Sequence, residues 1–351
     1  MRQTATSRSF WVTLAVAVGL AGCLAHSRSP SASFASQVPR DHPPPLPAFA
    51  YERSEIPLEN RMLEDEETSF YRVRYVRFPS IGDNGQAGGL VRGKYYESKL
   101  PGRKPLVIVL PIWGGHVYPS EKTTASLTRR SGGRVNVFHM EGEKRLIDWQ
   151  ALDSAAEESA FLEAWRQGAR REWVAVTDIR RTIDWAEGRA ELDAQRIGLV
   201  GFSQGAVVAA TVATQEPRLA AVALVMGGAR PHEVLASCPL DRSEAARIKA
   251  TAEFGWTPED LERRLAPIFS TLDPANYPGR VDPDRVLIFE ATRDDCMPET
   301  AREALWEAMG RPARIRLPYL HQQAFLAMTP LGLNWMRRSI WSFFRQALLP
   351  R

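Results

Sequence analysis

The residues best placed to do chemistry in this 351-residue sequence surround one serine, in Gly201-Phe202-Ser203-Gln204-Gly205. A serine hydroxyl is a weak nucleophile until a neighbouring base takes its proton. That base in turn needs an acid to hold its tautomer and orientation. A serine, an imidazole and a carboxylate must therefore be brought together. Six histidines are available. His26 and His42 fall in a proline-rich stretch, His139 ends an apolar run, and His232 lies in a long insertion; these are ordinary settings for structural or surface histidines. His116, beside Gly114-Gly115, is placed to line a pocket. His321 follows a strand-like run and Pro318-Tyr319-Leu320, and it precedes a helical run. The three cysteines show neither CxxC nor a Cys/His spacing of the kind that holds zinc, so no metal site is expected.

The elements that must position these side chains can be read from periodicity. The serine motif follows a buried strand at 197–200 and opens a helix rich in small residues (Ala206, Ala209, Ala210). Glycines on both sides allow a turn too tight for a β-carbon, with Ser203 strained at its tip. The helix N-terminus behind it favours developing negative charge. Residues 71–78 alternate with period two, as a half-exposed strand does, and a turn at 82–89 leads to a partner strand at 90–96. Leu106-Val107-Ile108-Val109-Leu110 is apolar throughout, the mark of a strand covered on both faces. Further buried strands are expected at 135–139, 221–226, 286–290 and 313–317. Helices separate them, including 174–187 with Val176, Ile179, Ile183 and Ala186 on one face. An antiparallel hairpin leading into alternating β and α units predicts an α/β protein with a mostly parallel central sheet and helices on both faces.

These features together resemble the α/β-hydrolase superfamily, over about residues 70–348. The resemblance implies a chain order of serine, acid, histidine. Ala291-Thr292-Arg293-Asp294-Asp295-Cys296-Met297-Pro298 is similar to the family's acid loop, in which the carboxylate stands four residues before a proline. That register selects Asp294 over Asp295. His321, the one histidine downstream of this loop, is then the implied base. Two backbone N–H groups should receive the oxyanion, one of them from Gln204. The other is implied in Pro111-Ile112-Trp113-Gly114-Gly115, which resembles the family's His-Gly-x-Gly loop with Pro111 and Ile112 replacing His-Gly; by register Trp113 supplies the amide. The competing reading of Trp113 is a packing aromatic at a strand end. Residues 178–185 and 193–201 look like the segment shared by dienelactone-hydrolase-like and prolyl-oligopeptidase-like enzymes. Ser203 departs from the cysteine nucleophile of true dienelactone hydrolases, and the motif lacks the extra glycine common in the oligopeptidases. Both departures point to cleavage of a small-molecule carboxylic ester through an acyl-enzyme, with no cofactor and no metal. Amide hydrolysis or acyl transfer on the same triad, and a non-catalytic binding lipoprotein that keeps the fold, are the alternatives.

Between Met226 and Arg285 lie nearly sixty residues where a direct crossover needs far fewer. This insertion, about 228–284, reads as a lid placed before the acid-bearing strand. Thr257-Pro258-Glu259-Asp260 resembles a capped helix start. Phe254, Trp256, Phe269 and Tyr277 form either the apolar wall of the lid or the small core that it needs. Cys238 in the insertion and Cys296 beside the acid loop are candidates for a disulfide, which spacing does not decide. The helix at 334–348 carries Trp335, Ile340, Trp341, Phe344 and Leu348, expected to pack on the sheet ahead of touching a membrane.

The N-terminal residues read as an address. Arg2 and Arg8 precede an apolar run at 10–20, shorter than the ~20 residues that span a bilayer. Leu20-Ala21-Gly22-Cys23 resembles the bacterial lipobox, which implies removal of the signal peptide 1–22 and lipid on Cys23. Leu24, in place of an aspartate, resembles a sorting signal for the outer membrane, with the protein facing the periplasm. Six prolines between Pro30 and Pro47 suit an extended tether. The expected organisation is thus a lipidated tether and domain entry at 23–69, then a catalytic domain at 70–351, anchored to the membrane by the N-terminal lipid. Hydrophobic residues at 44% and charged residues at 25% sit at the globular average. The net charge of +4 comes from scattered arginine pairs with no nucleic-acid motif, so no nucleic-acid partner is expected.

Overall fold

The computed structural model describes residues 27–29, 43–53, 56, 59–82, 87–113, 118–142, 145–330, 332 and 334–349. Its strands are β1 (Ser27–Ser29), β2 (Glu59–Met62), β3 (Tyr71–Ile81), β4 (Ala87–Ser98), β5 (Lys104–Val109), β6 (Asn136–Glu141), β7 (Leu192–Phe202), β8 (Leu219–Val225), β9 (Val286–Ala291) and β10 (Ala313–Leu317). The helices are α1 (Tyr118–Ser131), α2 (Trp149–Ser154), α3 (Glu158–Glu187), α4 (Gln204–Gln215), α5 (Pro231–Ser237), α6 (Asp241–Phe254), α7 (Pro258–Phe269), α8 (Glu299–Ala308), α9 (His321–Ala324) and α10 (Trp335–Leu348). All described strands join one sheet in the order β1-β10-β9-β8-β7-β5-β6-β4-β3-β2. The stretch from β10 to β6 is parallel, and the hairpin β3/β4 continues it antiparallel. This is the mostly parallel α/β sheet that the sequence predicts.

The period-two alternation of the buried strands divides the interior between the sheet's two faces. Leu106, Ile108, Leu199, Val222 and Leu224 join α3 and α4 in one core. Val107, Val109, Val200, Ala223 and Phe289 join α1 and α10 in the other. The C-terminal helix accordingly packs on the sheet, with Met336, Ile340 and Phe344 fully buried. Gly198 makes that approach possible, because a β-carbon there would sit 2.8 Å from the Phe344 ring. Among the described residues no helix is long and apolar enough to cross a membrane.

Part of the segment expected to be tether and domain entry, 23–69, packs on the domain. Phe49 is fully buried in the core on the α3 face, and its carbonyl accepts from the buried Arg180. The Leu46 amide donates to Gln215 at 3.0 Å, and β2 pairs with β3. Trp173 Nε1 donates to the Ala48 carbonyl and the Tyr51 hydroxyl donates to Asp184, so this proline-rich chain, whose prolines lose little entropy on ordering, is held at several points. Ser27–Ser29 pairs antiparallel with the outer edge of β10. Cys23 and the signal residues 1–22 lie outside the described residues.

In the insertion, α7 starts at the expected capping box. Thr257 Oγ1 accepts from the Asp260 amide at 3.1 Å, and the Asp260 carboxylate accepts from the Thr257 amide at 3.0 Å. The insertion's aromatics pack on α3 and on the entering chain, as part of the main core. The Phe254 and Trp256 rings are 5.2 Å apart and both meet Phe161 of α3, Phe269 meets Trp165, and Tyr277 meets Phe49. Helix α3 is thirty residues long because its apolar stripe runs back from 174 to Phe161, where it meets these aromatics.

Candidate active site

Ser203 sits where β7 turns into α4, and both glycines of the motif are required there. A β-carbon on Gly201 would lie 2.1 Å from the Gly205 carbonyl oxygen, and one on Gly205 would lie 2.4 Å from that of Pro111. Ser203 has φ +51° and ψ −121°, a conformation that non-glycine residues rarely adopt. The surroundings hold it there. Its amide donates to Val225 at the end of β8 (2.8 Å), and its carbonyl accepts from Ala206 (2.8 Å) and Val207 (3.2 Å). The strain thus presents the half-buried hydroxyl at the end of the sheet.

Ser203 Oγ lies 2.9 Å from His321 Nε2, and His321 Nδ1 lies 2.8 Å from Asp294 Oδ2. The other Asp294 oxygen, Oδ1, accepts from the amides of Cys296 (2.9 Å) and Met297 (2.7 Å), so the carboxylate cannot rotate freely. The Asp294 side chain is fully buried and that of His321 is 3% exposed. Asp295 instead accepts the backbone amide of His321 at 3.2 Å. Each neighbouring aspartate thus has its own partner on His321, and the one facing the imidazole is Asp294.

The loop after β5 reaches the same turn, through the contact of Pro111 with Gly205. Trp113 has φ +57°, is 4% exposed, and packs its indole so closely on Gly142 that a β-carbon there would meet Nε1 at 2.2 Å. Its side chain is therefore a packing aromatic. Its amide and that of Gln204 make no hydrogen bond among the described residues. His116 and Gly114-Gly115 lie outside the described residues. His139, on β6, is kept neutral: burial, with the nearby charge of Lys94, pushes its pKa down to about 4. His232 stands with Glu233 and Glu262, their ligand atoms within 4.8 Å of one another, but none of the three lines the cavity at Ser203. Glu233 is already held by Arg230 (2.8 Å) and Thr300 (2.5 Å).

Cys238, at the end of α5, is bonded to Cys296. This ties the lid to the loop that carries Asp294. Closing a loop of this sequence separation, 58 residues, restricts the unfolded chain by about 4 kcal/mol. Replacing both cysteines by serine is expected to lower unfolding stability by about that amount in urea titration. Reduction of the wild-type protein should give the same shift.

A cavity of about 510 Å³ opens over Ser203 and His321. Ile112, Trp149 and Val207 form apolar parts of its wall, and Val234, Leu235, Arg242 and Phe269 come from the insertion, which therefore covers the site as a lid does. Glu172 of α3 also lines it. The sequence carried a signal for Glu172 that the reading of 174–187 passed over. It falls in the run Phe161, Trp165, Gly168, Glu172, Val176, Ile179, Ile183, whose spacing of three and four marks a buried stripe.

Fold and site together define the class: the chain has the α/β-hydrolase fold, with a serine, a histidine and an aspartate joined by hydrogen bonds at the end of its sheet. Residues 91–262 match the model of the dienelactone hydrolase family. No curated protein matches the sequence. Among solved structures, the chain is similar to an acetyl xylan esterase from Paenibacillus sp. R4, with TM-score 0.59, 17% identity, and 84% and 90% of the two chains covered. It is also similar to a cold-adapted esterase from an Arctic intertidal metagenomic library, with TM-score 0.52, 15% identity, and 81% and 97% covered. The acylaminoacyl peptidase of Pyrococcus horikoshii gives TM-score 0.54 at 14% identity, with 82% of this chain and 44% of that one covered. At such identities these likenesses speak to the fold.

Proposed function

We propose that the protein is a lipid-anchored carboxylesterase working through an acyl-enzyme. The observation that carries this reading is the hydrogen-bonded line from Asp294 through His321 to a strained, cavity-facing Ser203. Ser203 Oγ attacks the ester carbonyl while its proton passes to His321 Nε2, and the resulting imidazolium is stabilised by the Asp294 carboxylate. The amides of Gln204 and Trp113 receive the oxyanion. Collapse of the tetrahedral intermediate breaks the bond to the leaving alcohol, which takes the proton from His321. Water, deprotonated by the same imidazole, then attacks the acyl-enzyme, and the acid leaves as Ser203 recovers its proton. Every proton moves between groups already in place, so the route needs neither metal nor organic cofactor.

A fluorophosphonate probe is expected to label the wild-type protein and to leave Ser203→Ala unlabelled. Hydrolysis of p-nitrophenyl acetate should fall in that variant by on the order of 10⁶. A folded wild-type protein that neither labels nor turns over the ester would count decisively against the reading. Comparison of matched ester and amide substrates separates esterase from amidase. The anchor belongs to the same proposal: Cys23 carries the lipid and holds the enzyme at the outer membrane, facing the periplasm. Metabolic labelling with an alkyne fatty acid should mark the wild-type protein and not Cys23→Ala; equal labelling of both would remove the anchor.

A further inference from the structure

The cavity contains a carboxyl group that the hydrolytic steps do not use. Glu172 is 3% exposed, and its Oε1 has no hydrogen-bond partner among the described residues. Leaving a buried polar atom unpaired costs about 1–3 kcal/mol, so its presence in an apolar stripe needs a reason. It lines the cavity together with apolar and aromatic side chains, among them Ile147, Trp149 and Phe269. Gly168, one turn earlier on α3, lets Ile147 lie directly on the helix, since a β-carbon there would be 2.5 Å from Ile147 Cδ1. Arg242, Ser243 and Gln322 also line the cavity, and Glu172 is the one carboxyl among its described lining residues. Burial alone raises the Glu172 pKa, to about 8, with no charge of either sign contributing. At neutral pH the group is a carboxylic acid, presenting one O–H donor beside one carbonyl acceptor. An alcohol hydroxyl also donates and accepts, and so pairs with both. An alkyl chain satisfies neither, and an ammonium requires the ionised carboxylate.

We infer that Glu172 is a specificity-determining residue, reading an uncharged hydroxyl on the part of the ester that fills the cavity. This rests on the esterase reading above and sharpens it: the preferred substrates are esters of hydroxyl-bearing compounds, not of plain alkyl chains. A site that hydrogen-bonds a substrate hydroxyl rejects the analogue without one, because its own polar group is then left unpaired.

The test compares esters that differ only in a terminal group. One series is the monoacetates of straight-chain diols, with alkyl and ammonioalkyl acetates of matched length. The other is methyl ω-hydroxyalkanoates with matched methyl alkanoates. The readout is the ratio of kcat/KM for the hydroxyl-bearing ester to that for its alkyl match, so a general loss of activity cancels. The wild-type protein should favour the hydroxyl by at least about tenfold at some chain length in one series. Glu172→Gln, which keeps a donor and an acceptor, should retain most of that ratio, whereas Glu172→Met should bring it near one. No preference at any length, or a preference untouched in Glu172→Met, overturns the inference. So does a preference for the ammonium ester that disappears in Glu172→Gln, which would make the group a cation receptor. Calorimetric binding of the intact esters to Ser203→Ala reports the same discrimination without turnover. Absence of all hydrolysis would then fault the esterase reading, while loss of this binding preference would fault Glu172.

Discussion

Asp294→Asn is expected to lower kcat by on the order of 10⁴, while Asp295→Asn stays within about tenfold of the wild-type enzyme. The reason lies in what each oxygen already does. Asp294 Oδ1 accepts two backbone N–H groups, from Cys296 and Met297, so an asparagine must keep its carbonyl oxygen on that side. Its NH₂ then faces His321 Nδ1 and donates to it. The imidazole is forced to carry its proton on Nε2, which lies 2.9 Å from Ser203 Oγ and can no longer accept a proton there. The variant should keep its fold and lose the general base. Asparagine at 295 still offers an oxygen to the His321 amide, which is all that Asp295 supplies to this histidine. Steady-state hydrolysis of p-nitrophenyl acetate by the two folded variants decides the matter. A large defect in Asp295→Asn with a small one in Asp294→Asn would move the acid one residue along.

The contrast between these aspartates shows which parts of the site were legible in the sequence. The serine turn was legible because its causes are local: a buried strand, two glycines with no room for a β-carbon, and a helix of small residues lie within a dozen positions. His321 was legible by chain order, and Asp294 by its distance from Pro298. What depended on distant contacts was not legible. The docking of Phe49 on Arg180 joins residues 131 apart, and no pattern within the proline-rich segment announces it. The pairing of Cys238 with Cys296 depends on how the lid folds back. Trp113 could be placed at the strand end, but only Gly142 and Gly205 in space show where its indole goes. Glu172 was hidden differently. Its position falls on the apolar stripe of α3, but a glutamate in an amphipathic helix reads by default as solvent-facing, and the cavity it lines exists only once the lid and the α2 segment are in place.

Glu172→Gln is expected to be more stable than the wild-type protein at pH 8, by about 4 kcal/mol, with the difference shrinking towards pH 4. The ordinary value of this carboxyl is 4.5 and burial raises it in the fold to about 8. Below 4.5 both the folded and the unfolded protein hold the proton, and the residue's contribution to stability is fully present. Between 4.5 and 8 the unfolded chain gives up its proton while the folded protein keeps it. Each pH unit in that window therefore favours unfolding by about 1.4 kcal/mol, and the loss levels off once the folded carboxyl also ionises. Glutamine does not titrate, so the gap between variant and wild type should open with rising pH and then stop widening. His139 acts in the opposite direction. Its pKa is depressed from 6.5 to about 4, so its contribution is lost as pH falls through that window, in both proteins alike. Urea midpoints of both proteins from pH 4 to 9 separate the two effects, because only the Glu172 effect appears in the difference. A difference that stays constant across the range would mean that Glu172 is ionised in the fold, with a compensating cation beside it. A carboxyl at this position thus weakens the fold over the whole neutral range. The hydroxyl recognition inferred for the cavity uses the same protonated form, so both experiments depend on one proton held on one side chain of α3.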